Sequence, residues 1–370
     1  MKTITVRASK AYDVTIGEGL LDDCGSAVRK AAGGLNAAIV TDDNVAELYE
    51  SRLRDALLKN GYRVAKYVIP HGENSKNDKN LISLLNFLAD SKFTREDVVV
   101  ALGGGVVGDL AGFTAACYMR GVRFVQIPTT LLSMVDSSVG GKTAINLAAG
   151  KNLAGAFYQP DAVLCDVSLL STLPPEVFRD GCAEVIKHGI ILDREFFHSL
   201  EVLIDKQLVD VVSRCVSIKR DVVLEDEFEK GVRKLLNFGH TVGHAIELLS
   251  GYQISHGHAV AIGMAVEARA AFRMGICREE CLRDILRMLR LYGLPVSIHF
   301  KADELAQACL SDKKREGQHI AMVFPTEIGY CVLKEVPVSE MEAVIRMGLA
   351  EEESGERKVK NENCRGAGAI

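Results

Sequence analysis

Asp97–Asp109 reads DVVVALGGGVVGD, and its reading decides the fold. A run of branched apolar residues, suited to a strand buried on both faces, passes directly into Gly103-x-Gly105-x-x-Gly108. Glycines at this spacing allow a tight turn and let backbone N–H groups approach a pyrophosphate at the start of the following helix. The acidic residue that would hold a ribose about 20 positions further on is missing. Arg120-Gly121 stands there instead. Candidates elsewhere are Asp42 and Asn44, after the apolar run AAIV, and Glu73 and Lys76 in IPHGENSK; a turn or capping role is the alternative for each.

Outward from this segment, Leu35–Thr41, Arg63–Ile69, Val122–Ile127 and Asp161–Asp166 are also strand-like, while Val45–Asn60 and Asn80–Asp90 have helical character. Such alternation predicts a parallel sheet flanked by helices. After Pro174-Pro175 the texture changes to long amphipathic stretches, Glu176–Leu192, Phe196–Glu225, Asn237–Leu249 and His258–Met274, with few strand signals. The expected class is α/β, with a Rossmann-like dinucleotide-binding domain at 1–172 and a mostly α-helical metal- and substrate-binding domain at 173–350. The charged, Gly-rich stretch 351–370 has almost nothing to bury, and its composition predicts a disordered tail.

The chain has 370 residues, 48% of them hydrophobic and 25% charged, which excludes disordered and collagen-like classes. Forty-four Lys and Arg against 49 Asp and Glu give a net charge of -5, so no global positive field exists to hold nucleic acid or an anionic membrane. Ten cysteines lie scattered without a C-x-x-C, which argues against a zinc knuckle or a disulfide framework. The N-terminal MKTITVRASKAYDVTIGEG alternates as a strand does and lacks the apolar core of a signal peptide, and no run of about 20 apolar residues follows. These features predict a reduced, cytoplasmic enzyme.

Val139–Thr143, VGGKT, resembles part of a phosphate-binding loop, but Asp136 stands where that pattern requires its first glycine. What remains is DSSVGGKTAINLAAGKN, with Asp136, Lys142, Lys151 and Asn152 among small residues. Two ammonium groups and several backbone donors there would neutralise a phosphate; solvated surface lysines are the plainer alternative.

Four of nine histidines, at 240, 244, 256 and 258, fall within LNFGHTVGHAIELLSGYQISHGHAV. A helical H-x-x-x-H sets two imidazoles one turn apart, close enough to share a metal ion, with His256 or His258 as a third ligand. Thr241 occupies the base position of a zinc protease, so that reading lacks its general base. Glu184, in the apolar stretch DGCAEVIKHGI, needs compensation from a metal or from Lys187. A nicotinamide, a divalent ion and a lysine cluster together suggest oxidation of a secondary alcohol in a phosphorylated polyol.

The blocks GGGVVGDLAGFTAACYMRG, IPTTLLSMVDSSVGGKTAIN, GKNLAGAFYQP, AEVIKHG and LNFGHTVGHAIE resemble, in the same order, the signature of 3-dehydroquinate synthases, over about Val6 to Pro325. The resemblance implies conversion of the sugar acid phosphate DAHP to 3-dehydroquinate and phosphate. The route is transient oxidation by NAD, phosphate elimination, re-reduction and aldol closure, with zinc or cobalt as the metal. It implies Glu184, His240 and His256 as metal ligands and moves His244 to the substrate. Asp136, Lys142, Asn152, Lys187, Lys219, Arg233 and Asn237 match the family's substrate pocket. Asp42, Glu73, Lys76, Gly105, Asp109, Thr129, Thr130, Lys142, Lys151 and Thr172 match its cofactor side. Arg120 matches an arginine that enters a partner's site across a homodimer, and Lys313 or Lys314 a lysine from a loop. Where the family often has HGE, this chain has His256-Gly257-His258, which adds a spare imidazole. Rival readings are a sibling cyclase forming an inosose or a valiolone, a metal-dependent dehydrogenase related to glycerol dehydrogenase, and a regulatory module with structural histidines.

Overall fold

A computed structural model describes residues 1–310, 315–316 and 318–349. The tail from Glu351 and the lysines Lys313 and Lys314 lie outside the described residues.

The first half forms the strands β1 (Lys2–Arg7), β2 (Ala11–Gly17), β3 (Asn36–Asp42), β4 (Arg63–Ile69), β5 (Val98–Gly103), β6 (Arg123–Pro128), β7 (Lys142–Leu147), β8 (Gly150–Phe157) and β9 (Ala162–Asp166). Seven of them make one sheet in the order β1-β2-β9-β6-β5-β3-β4, parallel except for the β1–β2 hairpin at one edge. All six residues of β5 are buried, as a strand covered on both faces requires. Helices α1 (Cys24–Ala32), α2 (Asp43–Val45), α3 (Ser51–Lys59), α4 (Asp78–Asp90) and α5 (Gly105–Cys117) connect the strands. The chain leaves β3 toward β4 on one side, whereas β5 lies on the other. Between the carboxyl ends of β3 and β5 the winding therefore reverses, and open α/β sheets bind ligands at such a point. Asp42 ends β3, and α5 begins just beyond β5.

The second half is mostly helical: α6 (Pro175–Leu192), α7 (Arg194–Ser199), α8 (Leu208–Glu225), α9 (His240–Leu249), α10 (His256–Arg273), α11 (Glu279–Leu291), α12 (Ala302–Cys309) and α13 (Met341–Gly348). Pro175 starts α6, where its missing N–H costs no hydrogen bond. Val6, Val14 and Ile16 of the edge hairpin share one apolar cluster with these helices, so the two halves meet over a continuous core.

Two expectations needed correction. Phe196–Glu225 is not one helix: α7 stops at Ser199, and Gln207 Nε2 donates to the carbonyls of Ser199 (3.3 Å) and Val202 (3.0 Å) before α8 begins. Lys142 and Asn152, which the sequence left without an element, lie on the antiparallel β7–β8 hairpin. The helical half also carries an antiparallel sheet of β10 (Arg315–Glu316), β11 (His319–Glu327) and β12 (Tyr330–Pro337).

Close helix contacts deliver the histidines. A Cβ on Gly263 of α10 would lie 1.9 Å from the carbonyl oxygen of Gly239, so only glycine lets α9 and α10 cross at this separation. Gly239 itself has φ +78°, the left-handed conformation that glycine adopts without strain, and turns the chain into His240. Asp180 of α6 accepts the backbone N–H of His258 (3.1 Å) and the Ser255 hydroxyl (2.6 Å), capping α10 from outside and bringing His256 toward α6.

Candidate active site

Glu184 and Lys187 occupy one buried face of α6, 0% and 1% exposed, with the Lys187 ammonium against Glu184 Oε2. The other carboxylate oxygen, Oε1, lies 3.5 Å from His240 Nε2 and 3.4 Å from His256 Nε2 and has no hydrogen bond of ordinary geometry. A tetrahedral ion with bonds of about 2.0–2.1 Å separates its ligand atoms by about 3.3–3.4 Å, so the spacing suits a shared zinc-like ion. The opposite ring nitrogens are occupied: His240 Nδ1 meets the carbonyl of Phe238 at 3.1 Å and His256 Nδ1 meets Glu247 Oε2 at 3.3 Å. In the neutral ring each therefore carries its proton on Nδ1 and directs the Nε2 lone pair at Glu184. An ion held by these three side chains would keep a coordination position open, the arrangement of a catalytic metal rather than a structural one.

The electrostatics agree. Burial pushes the Glu184 carboxyl up, but Lys187 and His240 outweigh it and hold it far below the carboxylate range. Burial pulls His256 down, whereas its contacts with Glu184 and Glu247 raise it to about 10. A metal ion entering this cluster would have to displace the His256 proton.

His244, one turn after His240, does not join this set; its ring centroid is 5.6 Å from that of His240 and 6.1 Å from that of His256. The cluster around Glu184 Oε1 is thus drawn from three helices and not from the H-x-x-x-H pair. His258 turns away to Asp180 Oδ1 (2.7 Å) and Ser255 Oγ (2.9 Å).

Beside this cluster lies a cationic wall. Lys219 donates to the carbonyl (2.5 Å) and Oδ1 (2.7 Å) of Asp136. Burial raises the Asp136 carboxyl, yet Lys219 and Lys187 hold it well below its usual value. Arg233, 1% exposed, donates to the carbonyls of Gly140 and Glu227. Lys142 pairs with Glu229 at 2.6 Å, and the same carboxylate accepts from Asn237 Nδ2 at 3.0 Å. Loss of water in the cleft, with repulsion from Arg233, brings Lys142 down to about 8 despite Glu229. Asn152 has φ +53°, and its backbone N–H donates to Asn146 Oδ1 at 2.9 Å.

At the switch point of the sheet, Lys76 bridges Asp109 (3.0 Å) and Glu73 (3.2 Å), while Asn146 Nδ2 donates to Glu73 Oε1 (2.8 Å). Burial lowers Lys76, but the two carboxylates more than compensate, so it stays charged. No side chain caps α5, so the first-turn N–H groups after Gly104 face outward. A Cβ on Gly104 would come within 3.2 Å of Thr130 Cγ2, and one on Gly105 within 3.2 Å of Ser137 Oγ; the narrow cradle is built for backbone. Thr129 Oγ1 is buried there without a hydrogen bond. Thr130 Oγ1 and Ser133 Oγ are 2.8 Å apart, and Thr172 Oγ1 is 2.6 Å from the Tyr49 hydroxyl. Asp42 Oδ1 accepts the N–H of Val45 at 2.9 Å, so the capping role is real, and burial raises its carboxyl. Asn44 is exposed.

Arg120 stands apart, exposed at the end of a turn where Met119 and Arg120 take φ of +48° and +67°. Sequence reasoning missed Glu229, Asn146 and Glu247, which hold Lys142, Glu73 and His256. Only Glu247 left a signal: a carboxylate three residues after His244 in an otherwise apolar helix.

Residues 66–180 match the family 3-dehydroquinate synthase N-terminal and residues 181–315 match 3-dehydroquinate synthase C-terminal. The chain is 46% identical over 329 residues to the 3-dehydroquinate synthase of a Geobacter species, covering 86% of this chain and 91% of that one. It is 41% identical over 355 residues to that of Clostridium acetobutylicum, 94% and 100% of the two chains. Among solved structures, 2-deoxy-scyllo-inosose synthase complexed with carbaglucose-6-phosphate, NAD+ and Co2+ aligns with a TM-score of 0.85 at 28% identity, over 94% of this chain and 100% of that chain. A glycerol dehydrogenase from Sinorhizobium meliloti shares the fold, with a TM-score of 0.60 at 16% identity over 90% and 96% of the two chains.

Proposed function

The chain belongs to the 3-dehydroquinate synthase family, and we propose that the cleft between the carboxyl ends of its sheet and the helices α6, α8, α9 and α10 carries out that reaction with the residues described. The observation that carries the assignment is Glu184 Oε1, a buried carboxylate oxygen facing two imidazole nitrogens beside a wall of lysines and an arginine.

Glu184, His240 and His256 would hold the metal. The α5 N-terminus, Thr129, Thr130 and Thr172 would line the NAD site, with Asp42, Glu73, Lys76, Asp109 and Lys151 around it. When bound, the ion supplies Lewis acidity to a substrate hydroxyl and NAD a hydride acceptor that later returns the hydride. Lys142, Lys219 and Arg233 bind and neutralise the phosphate and carboxylate of DAHP, and Asn152 and Asn237 orient its hydroxyls. His244, one turn after His240, would hydrogen-bond substrate. Asp136 fixes Lys219, and Lys187 keeps Glu184 ionised. Few protein bases are needed, because the departing phosphate can itself accept protons.

We assign Arg120 to a partner's site in a homodimer. The exposed, left-handed Met119-Arg120 turn supports it, since an exposed turn can reach a second chain. Sedimentation at the mass of a single chain would remove this role. No helix among the described residues is long and apolar enough to cross a membrane, which fits the cytoplasmic assignment.

The purified protein, supplied with NAD and zinc or cobalt, is expected to release inorganic phosphate from DAHP without accumulating NADH. Stoichiometric NADH would favour a dehydrogenase, and turnover of a hexose phosphate in place of DAHP a sibling cyclase.

A further inference from the structure

Glu247 has no part in the scheme above, yet it sits at the junction of its two halves. It lies on α9, three residues after His244, and its side chain is only 3% exposed. A carboxylate so enclosed is costly unless both oxygens find donors. Oε1 lies 2.8 Å from Lys151 Nζ and Oε2 lies 3.3 Å from His256 Nδ1. Lys151 belongs to β8 of the hairpin and His256 is the first residue of α10, so one carboxylate joins the cofactor side to a metal ligand.

A rival assignment exists within the same geometry. His244, Glu247 and His256 also offer ligand atoms within 4.8 Å of one another, as do Glu184, His240 and His256. The partners decide between the two. Both oxygens of Glu247 accept hydrogen bonds, whereas neither buried oxygen of Glu184 does, and Oε1 faces the two imidazole nitrogens. The His256 ring points Nε2 at Glu184 and Nδ1 at Glu247, the arrangement in which one nitrogen ligates and the other is held by a carboxylate.

We propose that Glu247 is a positioning residue, which fixes the His256 ring and tautomer for metal binding and anchors Lys151 at a set distance from that ligand. This rests on Glu184, His240 and His256 being the metal ligands. Glu247 never touches the ion, so its removal lowers affinity without changing the ligand set.

The test uses the full chain carrying Glu247→Ala or Glu247→Gln, with dissociation constants for zinc and cobalt measured by competition against a chelator. Loss of such a partner weakens metal binding about 10–100-fold, and that is the change expected for Glu247→Ala. Glu247→Gln keeps the side-chain shape and one acceptor for Nδ1–H, so it should lose less affinity, and it carries the test should the alanine variant fail to fold. The visible absorption of the bound cobalt keeps the wild-type band shape in both. Affinities within twofold of wild type in both variants would overturn the proposal. So would a changed cobalt spectrum with binding abolished, because Glu247 would then be a ligand itself. Wild-type protein that binds neither ion, or that retains it after Glu184→Ala, would overturn the assignment of the centre and this inference with it; the Glu247 variants cannot produce that result.

Discussion

Glu184 is held by two kinds of partner, and replacing it separates them. In the metal-free protein the carboxylate compensates Lys187, whose side chain is 1% exposed and whose other nearby carboxylate, Asp136, is already engaged by Lys219 at 2.7 Å. Glu184→Leu therefore leaves a buried ammonium with no partner of its own, and breaking a buried pair from one side costs about 3–5 kcal/mol. Glu184→Leu combined with Lys187→Met removes both charges and fills the space with apolar atoms. Such replacements are often neutral, so the double variant should recover most of the loss. The carboxyl is held below its unfolded value, so this stabilisation is complete at neutral pH and is lost only as the pH falls through the lowered folded value. Urea unfolding of chelator-treated protein at pH 7 measures both variants. Added zinc at 100 times its dissociation constant stabilises wild type by about 2.7 kcal/mol, whereas neither variant gains from it. A single substitution costing less than about 1 kcal/mol, or a double variant as unstable as the single one, would refute the reasoning about a buried, mutually compensated pair.

Two further outcomes follow from the geometry. Lys142 is an ammonium below about 8 and loses its proton above, so kcat/KM for the anionic substrate should fall about tenfold per pH unit on the alkaline side. Lys142→Arg should remove that limb up to pH about 10, and a limb unchanged by arginine would assign it to another group. His258→Ala should keep metal and activity and lose about 1 kcal/mol of stability with its contact to Asp180. His256→Ala should lose both metal and activity; equal losses from the two substitutions, measured by metal content and phosphate release, would contradict the ligand assignment.

The sheet was legible because its signal is local. The edge strand Arg63–Ile69 was placed to the residue and the central parallel strands within one residue, since β-branched runs bounded by turn residues leave few alternatives. The β7–β8 hairpin was not legible. Its small residues carry no alternation, and Gly155 is there because a Cβ would lie 2.2 Å from the carbonyl oxygen of Thr143, a constraint only the paired strand creates. The break before α8 was missed for a similar reason: apolar residues continue through it, and Gln207 ends α7 by bonds to carbonyls five and eight residues away.

At the site, residue chemistry was more legible than residue grouping. Histidine spacing alone pairs His240 with His244, because helical periodicity reports only which side chains share a face. The approach of His240 and His256 to Glu184 depends instead on helix crossings, through Gly263 against Gly239 and through Asp180 at the start of α10, neither of which has a signature at the histidines themselves. What sequence did carry was the cost of burial: Glu184 and Lys187 in an apolar helix demanded compensation, and the structure satisfies each with the other and with two imidazoles. The same logic applies to Glu247, Glu229 and Asp136. Each is a carboxylate at a basic residue of the cleft, so the acidic side chains fix where the cationic ones stand. A charged substrate then meets cations already oriented, and little reorganisation remains when it binds.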